Sequence, residues 1–222
     1  MQDWPPVLVR QVHTLVRQFM AGGEAWIGVA GIECFGTGPV RTGTLRRGGR
    51  IETLGNRPLD RAFVWMQGAE PELWVDPRAA GYRDLYDEFA RTRLGLSGRP
   101  TAGFNIDHLF PKSAGALDGM SHVRMLAIAR PSNQAAGRTL EKAMTQRART
   151  ASGRKRIRHA TWMTIGKATG FVGWESLPDS ADAQANMPVV RALFAHLAAH
   201  GIPADFPDLE QRLTAHTLTR IR

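Results

Sequence analysis

The stretch Asn105-Ile106-Asp107-His108-Leu109-Phe110-Pro111-Lys112-Ser113, continued by His122-Val123-Arg124-Met125-Leu126 and by Ser132-Asn133-Gln134-Ala135-Ala136-Gly137, decides how this chain is read. Apolar residues running into an Asp-His pair predict a strand over Gly103 to Leu109. A long loop follows, then a second strand over His122 to Ala129, closed by Pro131-Ser132. A helix is expected from about Gln134 to Arg147, with Ala136, Leu140 and Met144 on one side and Asn133 at its opening. The order is strand, loop, strand, helix.

That layout suits metal-assisted cleavage of a phosphodiester bond. Carboxylate and amide oxygens are hard ligands suited to Mg²⁺ or Mn²⁺. Asp107 and Asn133 would supply one each, leaving coordination positions for water and a phosphate oxygen. Neighbouring side chains on a strand point to opposite faces, so Asp107 and His108 converge only where the strand ends or bends. A neutral imidazole, with an ordinary pKa of about 6.5, takes the proton of an attacking water. The metal stabilises the charge growing on the phosphate.

The segment from Asn105 to Met144, about 40 residues, resembles the HNH, or His-Me finger, nucleases. The resemblance implies a β-hairpin and a helix that grip one divalent metal. It implies that His108 is the general base, that Asp107 is a metal ligand and that Asn133 completes the metal site. Pro111 and Gly137 fall where the family often has proline and glycine. The middle position, where the family usually has an Asn that orients the base, is His122, which the resemblance implies orients the base or the phosphate. An imidazole makes one hydrogen bond there but lacks the paired donor and acceptor of an amide. A chain that kept the scaffold and lost the chemistry would be a non-catalytic inhibitor binding nucleic acid or protein, for example in competition between plasmids or phages. The His122 departure favours that alternative.

Downstream of the motif the charge becomes one-sided. From Lys142 to Trp174 there is no acidic residue, while Lys142, Arg147, Arg149, Arg154, Lys155, Arg156, Arg158 and Lys167 are all basic. These eight nearly account for the whole-chain surplus of +9, from 29 Lys and Arg against 20 Asp and Glu. The stretch is expected to hold a nucleic-acid backbone, DNA foremost, by contacts that are blind to base sequence and sensitive to salt. The bland reading of such a run is a solvated helix face and a basic loop. Arg154 and His159 have a spacing found in some RNA-cleaving helical domains, but any basic run holding one His produces it often. Gly166-Lys167 is followed by Ala168, so the phosphate-loop pattern fails. Trp162 is the one tryptophan placed to stack on a base; Trp65, Trp74 and Trp174 read as core.

Upstream, Leu8, Val12, Leu15, Val16 and Phe19 recur at helical spacing and Gly22-Gly23 stops the run. Strands are expected over Ala25 to Phe35, Val40 to Leu45 and Ile51 to Leu54, with a short one at Arg61 to Met66. A second helix is expected between Arg78 and Leu94. Residues 70–77 are a candidate boundary, although nothing there resembles a long linker. Two closing helices are expected over Pro188 to Ala199 and Asp208 to Thr217.

The expected fold class is therefore α+β, a ββα metal-binding unit embedded in a mixed helix and antiparallel-sheet domain. Residues 1–100 would form an N-terminal helix and a β-rich region, 101–150 the HNH-like unit, and 151–222 the basic segment with the C-terminal helices. An apolar fraction of 43% argues for a packed core rather than wholesale disorder. Cys34, the one cysteine, forms no internal disulfide and no thiolate zinc site, which fits a reducing, cytoplasmic setting. No apolar run reaches the roughly 18 residues that span a bilayer. The opening Met1-Gln2-Asp3-Trp4 lacks the basic region and apolar core of a signal peptide. The expected activity is that of a divalent-metal-dependent endonuclease.

Overall fold

The computed structural model describes residues 4–20, 29–30, 35, 49–117, 119–139, 141, 145, 149, 164–176 and 183–202. The chain is α+β, with helices accompanying a sheet of six strands. The strands are β1 (Val29–Ala30), β2 (Arg50–Thr53), β3 (Ala62–Gln67), β4 (Glu70–Val75), β5 (Phe104–His108) and β6 (His122–Ala129). Their order is β1-β6-β4-β3-β2, every neighbouring pair antiparallel, and β5 also pairs with β6. Two compact units divide within β6, at Ala127 and Ile128.

In the first unit, helix α1 spans Pro6–Gln18, with proline in its first turn, where the missing N–H leaves no bond unmade. Its periodic residues Leu8, Val12, Leu15 and Val16 are all buried. Helix α2 spans Tyr82–Arg93 and buries Leu85, Tyr86, Phe89 and Ala90. It starts from Gly81 in the left-handed region (φ 71°), a conformation that glycine adopts without steric cost. One apolar core joins Leu8 to Leu85, Tyr86 and Phe89 and to sheet residues Val64, Leu73, Phe104, Ile106 and Met125. β5 and β6 are thus built on the same core as the N-terminal helix.

The opposite parity of the sheet carries Phe63, Trp65 and Trp74, which enclose Phe35 with ring centroids 4.8–5.1 Å away. Edge-to-face pairs of this kind add about 0.5–1.5 kcal/mol each beyond their buried area. Because both faces are covered, β3 reads as the unbroken apolar run Ala62-Phe63-Val64-Trp65 rather than as an alternation. Trp65, Trp74 and Trp174 are fully buried, as core residues.

The sequence expectation departs from the structure at four elements. Residues 70–77 are no boundary: β4 lies there, between β3 and β6, at the centre of the sheet. The long loop after β5 contains helix α3, Lys112–Leu117. Helix α4 spans Arg130–Arg138 and begins directly after β6, earlier than expected, because Pro131 fits its first turn. In the second unit, helix α5 spans Ala183–Ala199 and carries Pro188 inside it. Residues 164–169 are helical, and a 3₁₀ turn covers Gly173–Ser176. The expected strand at Val40 to Leu45 and the helix at Asp208 to Thr217 lie outside the described residues. Among the described residues, no helix is long and apolar enough to cross a membrane.

Candidate active site

β5 alternates strictly: Phe104, Ile106 and His108 are buried, while Asn105 and Asp107 are half-buried. Adjacent side chains should therefore diverge, and along most of the strand they do. His108 is the last residue of β5, and there the backbone lets the pair meet. Its N–H donates to Asp107 Oδ1 at 2.7 Å, and its Nδ1 lies 3.8 Å from the same oxygen. The two members differ in access: the Asp107 side chain is 25% exposed and that of His108 only 2%. Solvent reaches this pair from the carboxylate side. Beyond β5, the Leu109 N–H donates to the Arg124 carbonyl at 2.8 Å, which ties the end of β5 to β6.

The His108 ring packs against Tyr82, the first residue of α2, at 4.8 Å between centroids. The Arg83 guanidinium lies 4.8 Å from the centre of the same tyrosine ring and the Lys112 ammonium 5.6 Å. Periodicity assigns Tyr82 to the core face of α2, so sequence reading passes over it; its place at the very start of the helix leaves it half-exposed.

His122 opens β6, opposite Ala30 of β1, and is 1% exposed. Its Nε2 lies 2.8 Å from the Leu59 carbonyl. A carbonyl only accepts, so Nε2 carries the proton and donates. Nδ1 lies 2.9 Å from the Ser121 hydroxyl. Phe63 meets the ring edge-on at 4.7 Å. His122 thereby pins the start of β6 to the chain at Leu59, a backbone partner that no side-chain pattern announces.

Asn133 belongs to the second unit and sits in the first turn of α4. The helix is capped at Ala129 with no side-chain cap bond, so the Asn133 amide is not used as a cap. Its neighbour Ser132 is fully buried, with its hydroxyl 2.9 Å from the Lys167 carbonyl and 2.7 Å from that of Phe171. These contacts anchor the turn. The Asn133 Oδ1 is buried and has no hydrogen-bond partner among the described residues. Leaving such an acceptor unmade costs about 1–3 kcal/mol, and a hard cation is one group that would complete it. Among the described residues, no group of three His, Cys, Asp and Glu side chains is placed to hold a metal. One carboxylate, one amide and bound waters would not make such a group.

Of the basic stretch, the structure describes two members. Arg149 is exposed. Lys167 is buried, and its ammonium is paired with the Glu141 carboxylate, so its charge is neutralised within the second unit. Lys142, Arg147, Arg154, Lys155, Arg156 and Arg158 lie outside the described residues, as do Cys34, His159 and Trp162. Comparison of the chain with protein-family models, with curated proteins and with solved structures finds no match.

Proposed function

We propose that the protein is a divalent-metal-dependent endonuclease that acts in the cytoplasm on nucleic acid, DNA foremost. The observation that carries this reading is the convergence of Asp107 and His108 at the end of β5, with the carboxylate open to solvent and the imidazole behind it. In this reading His108 accepts the proton of the attacking water. Asp107 is an oxygen donor to one Mg²⁺ or Mn²⁺, and the ion supplies electrostatic stabilisation of the phosphate when bound. Within the second unit, the buried Asn133 Oδ1, which has no hydrogen-bond partner among the described residues, is an acceptor that a hard cation would complete. His122 acts as a positioning residue, through the start of β6 rather than on the substrate. The basic stretch, apart from the buried Lys167, holds the backbone of the polyanion.

The test is incubation of the purified protein with supercoiled plasmid and Mg²⁺ or Mn²⁺, with a chelator control. Nicking that needs the metal and vanishes in His108→Ala supports the reading. Metal-dependent nicking that persists undiminished in that variant contradicts it.

One observation favours a second reading, a non-catalytic binder on the same scaffold. Both candidate histidines are almost wholly buried, and both ring nitrogens of His122 are engaged within the protein. A mobility shift of nucleic acid without cleavage, under the same metals, would select it.

A further inference from the structure

We propose that Arg83 and Lys112, gathered around Tyr82, form a phosphate-binding subsite that holds the nucleic-acid backbone beside Asp107 and His108. This rests on the reading of the protein as a nucleic-acid enzyme or binder, and it names a grip separate from the basic stretch.

Three observations converge on it. Tyr82 packs on His108, and both cations lie within 5.6 Å of the Tyr82 ring centre, so the positive charge gathers on the ring that covers His108. The two cations are exposed. And among the described residues neither pairs with a carboxylate, in contrast to Arg10, Arg57, Arg78, Arg91, Arg99 and Arg124 of the same unit. The acid beside Arg83 in sequence, Asp84, is turned to Arg99 at 3.3 Å. An unpaired surface cation breaks no internal ion pair when it meets a phosphate, and it releases counterions from the polyanion. The aromatic face restrains both flexible side chains before any ligand arrives.

The placement is also local to rigid structure. Arg83 lies in the first turn of α2, which Gly81 starts, and Lys112 opens α3 directly after the buried Pro111. Phosphates held there would lie beside Tyr82, whose ring packs on His108. Such contacts fix register and orientation without reading bases.

The experiment uses the full chain with a labelled 20-base-pair duplex in chelator, so that binding is measured without cleavage. Affinity is followed between about 50 and 200 mM salt for the wild type, Arg83→Gln, Lys112→Gln and the double variant. Arg78→Gln, which removes an exposed arginine already paired with Asp76, is the control. Each single variant should bind about three- to tenfold more weakly and lower the log–log salt slope by about 0.9, and the double variant by about twice that. Arg83→Lys and Lys112→Arg should retain most of the affinity. A double variant with wild-type affinity and slope overturns the subsite and leaves the functional reading standing. So does an equal loss in Arg78→Gln. Absence of any binding to DNA or RNA by the wild type overturns both. Preference for an acidic polypeptide over nucleic acid, with the same residue dependence, also overturns the subsite.

Discussion

Glu72 and Arg124 are each 1% exposed, and their charged atoms are 3.4 Å apart inside the sheet of the first unit. Glu72 also accepts from Trp74 Nε1 at 3.0 Å and from the Gln18 amide, and Arg124 donates to Gln18 Oε1 at 2.7 Å. Removing one partner leaves the other charge buried and uncompensated, which costs about 3–5 kcal/mol. Arg124→Leu should lose that much in chemical denaturation, and the double change with Glu72→Met should recover most of it; a neutral single variant would contradict the pair's role. In the second unit, burial holds the His196 imidazole below its ordinary pKa, the nearby His200 adds to this, and a hydrogen bond to Thr169 opposes it. The unfolded chain then binds the proton more readily than the folded one. That stabilisation is complete above the unfolded value of about 6.5 and is lost as pH falls through the folded one. Stability should decline below about pH 6.5 less steeply in His196→Gln than in the wild type; identical pH profiles would remove His196 as the cause.

At the scale of elements, strict patterns were legible and compensated ones were not. Leu8, Val12 and Leu15 announce α1, and the eight residues of β6 are apolar enough to be bounded from sequence. β4 is not legible in the sequence because Glu70-Pro71-Glu72 reads as a break. Glu72 is paired with Arg124 of the neighbouring β6, far away in sequence, and Pro71 lies outside the β4–β6 ladder, which pairs only Leu73 to Val75. The start of α4 is hidden in the sequence because proline suggests an interruption, whereas a first-turn proline leaves no bond unmade. The Asp-His pair was legible as a candidate site because a strand end is the one place where neighbours converge. Tyr82 and the Leu59 carbonyl were not, since one resembles core and the other is backbone. A close approach also fixes β2 to β3: a Cβ on Gly49 would fall 2.4 Å from the Met66 carbonyl and 2.5 Å from the Trp65 ring. Gly49→Ala should therefore destabilise the first unit by about 1–3 kcal/mol, as overpacking does. A thermal melt unchanged from wild type would show that the sheet edge adjusts freely.

For the whole molecule, the surplus of +9 resolves into distinct environments. Many arginines of the first unit are paired with carboxylates, Lys167 is buried against Glu141, and Arg83 and Lys112 stand exposed beside the candidate site. A count of charges treats all of these alike, and only their partners separate a structural cation from one available to a polyanion. The proposed activity is cleavage of phosphodiester bonds by the Asp107–His108 pair with one divalent metal. Its most direct test is the rate of plasmid nicking in Mg²⁺ or Mn²⁺ by the wild type, His108→Ala and Asp107→Ala, with nucleic-acid binding measured on the same samples. Chelator-sensitive nicking is expected in the wild type, with at least about a hundredfold loss in both variants, as for a lost general base or metal ligand, and binding retained by His108→Ala. Metal-dependent nicking at the wild-type rate in either variant, or no nicking by the wild type while it binds nucleic acid, would contradict it.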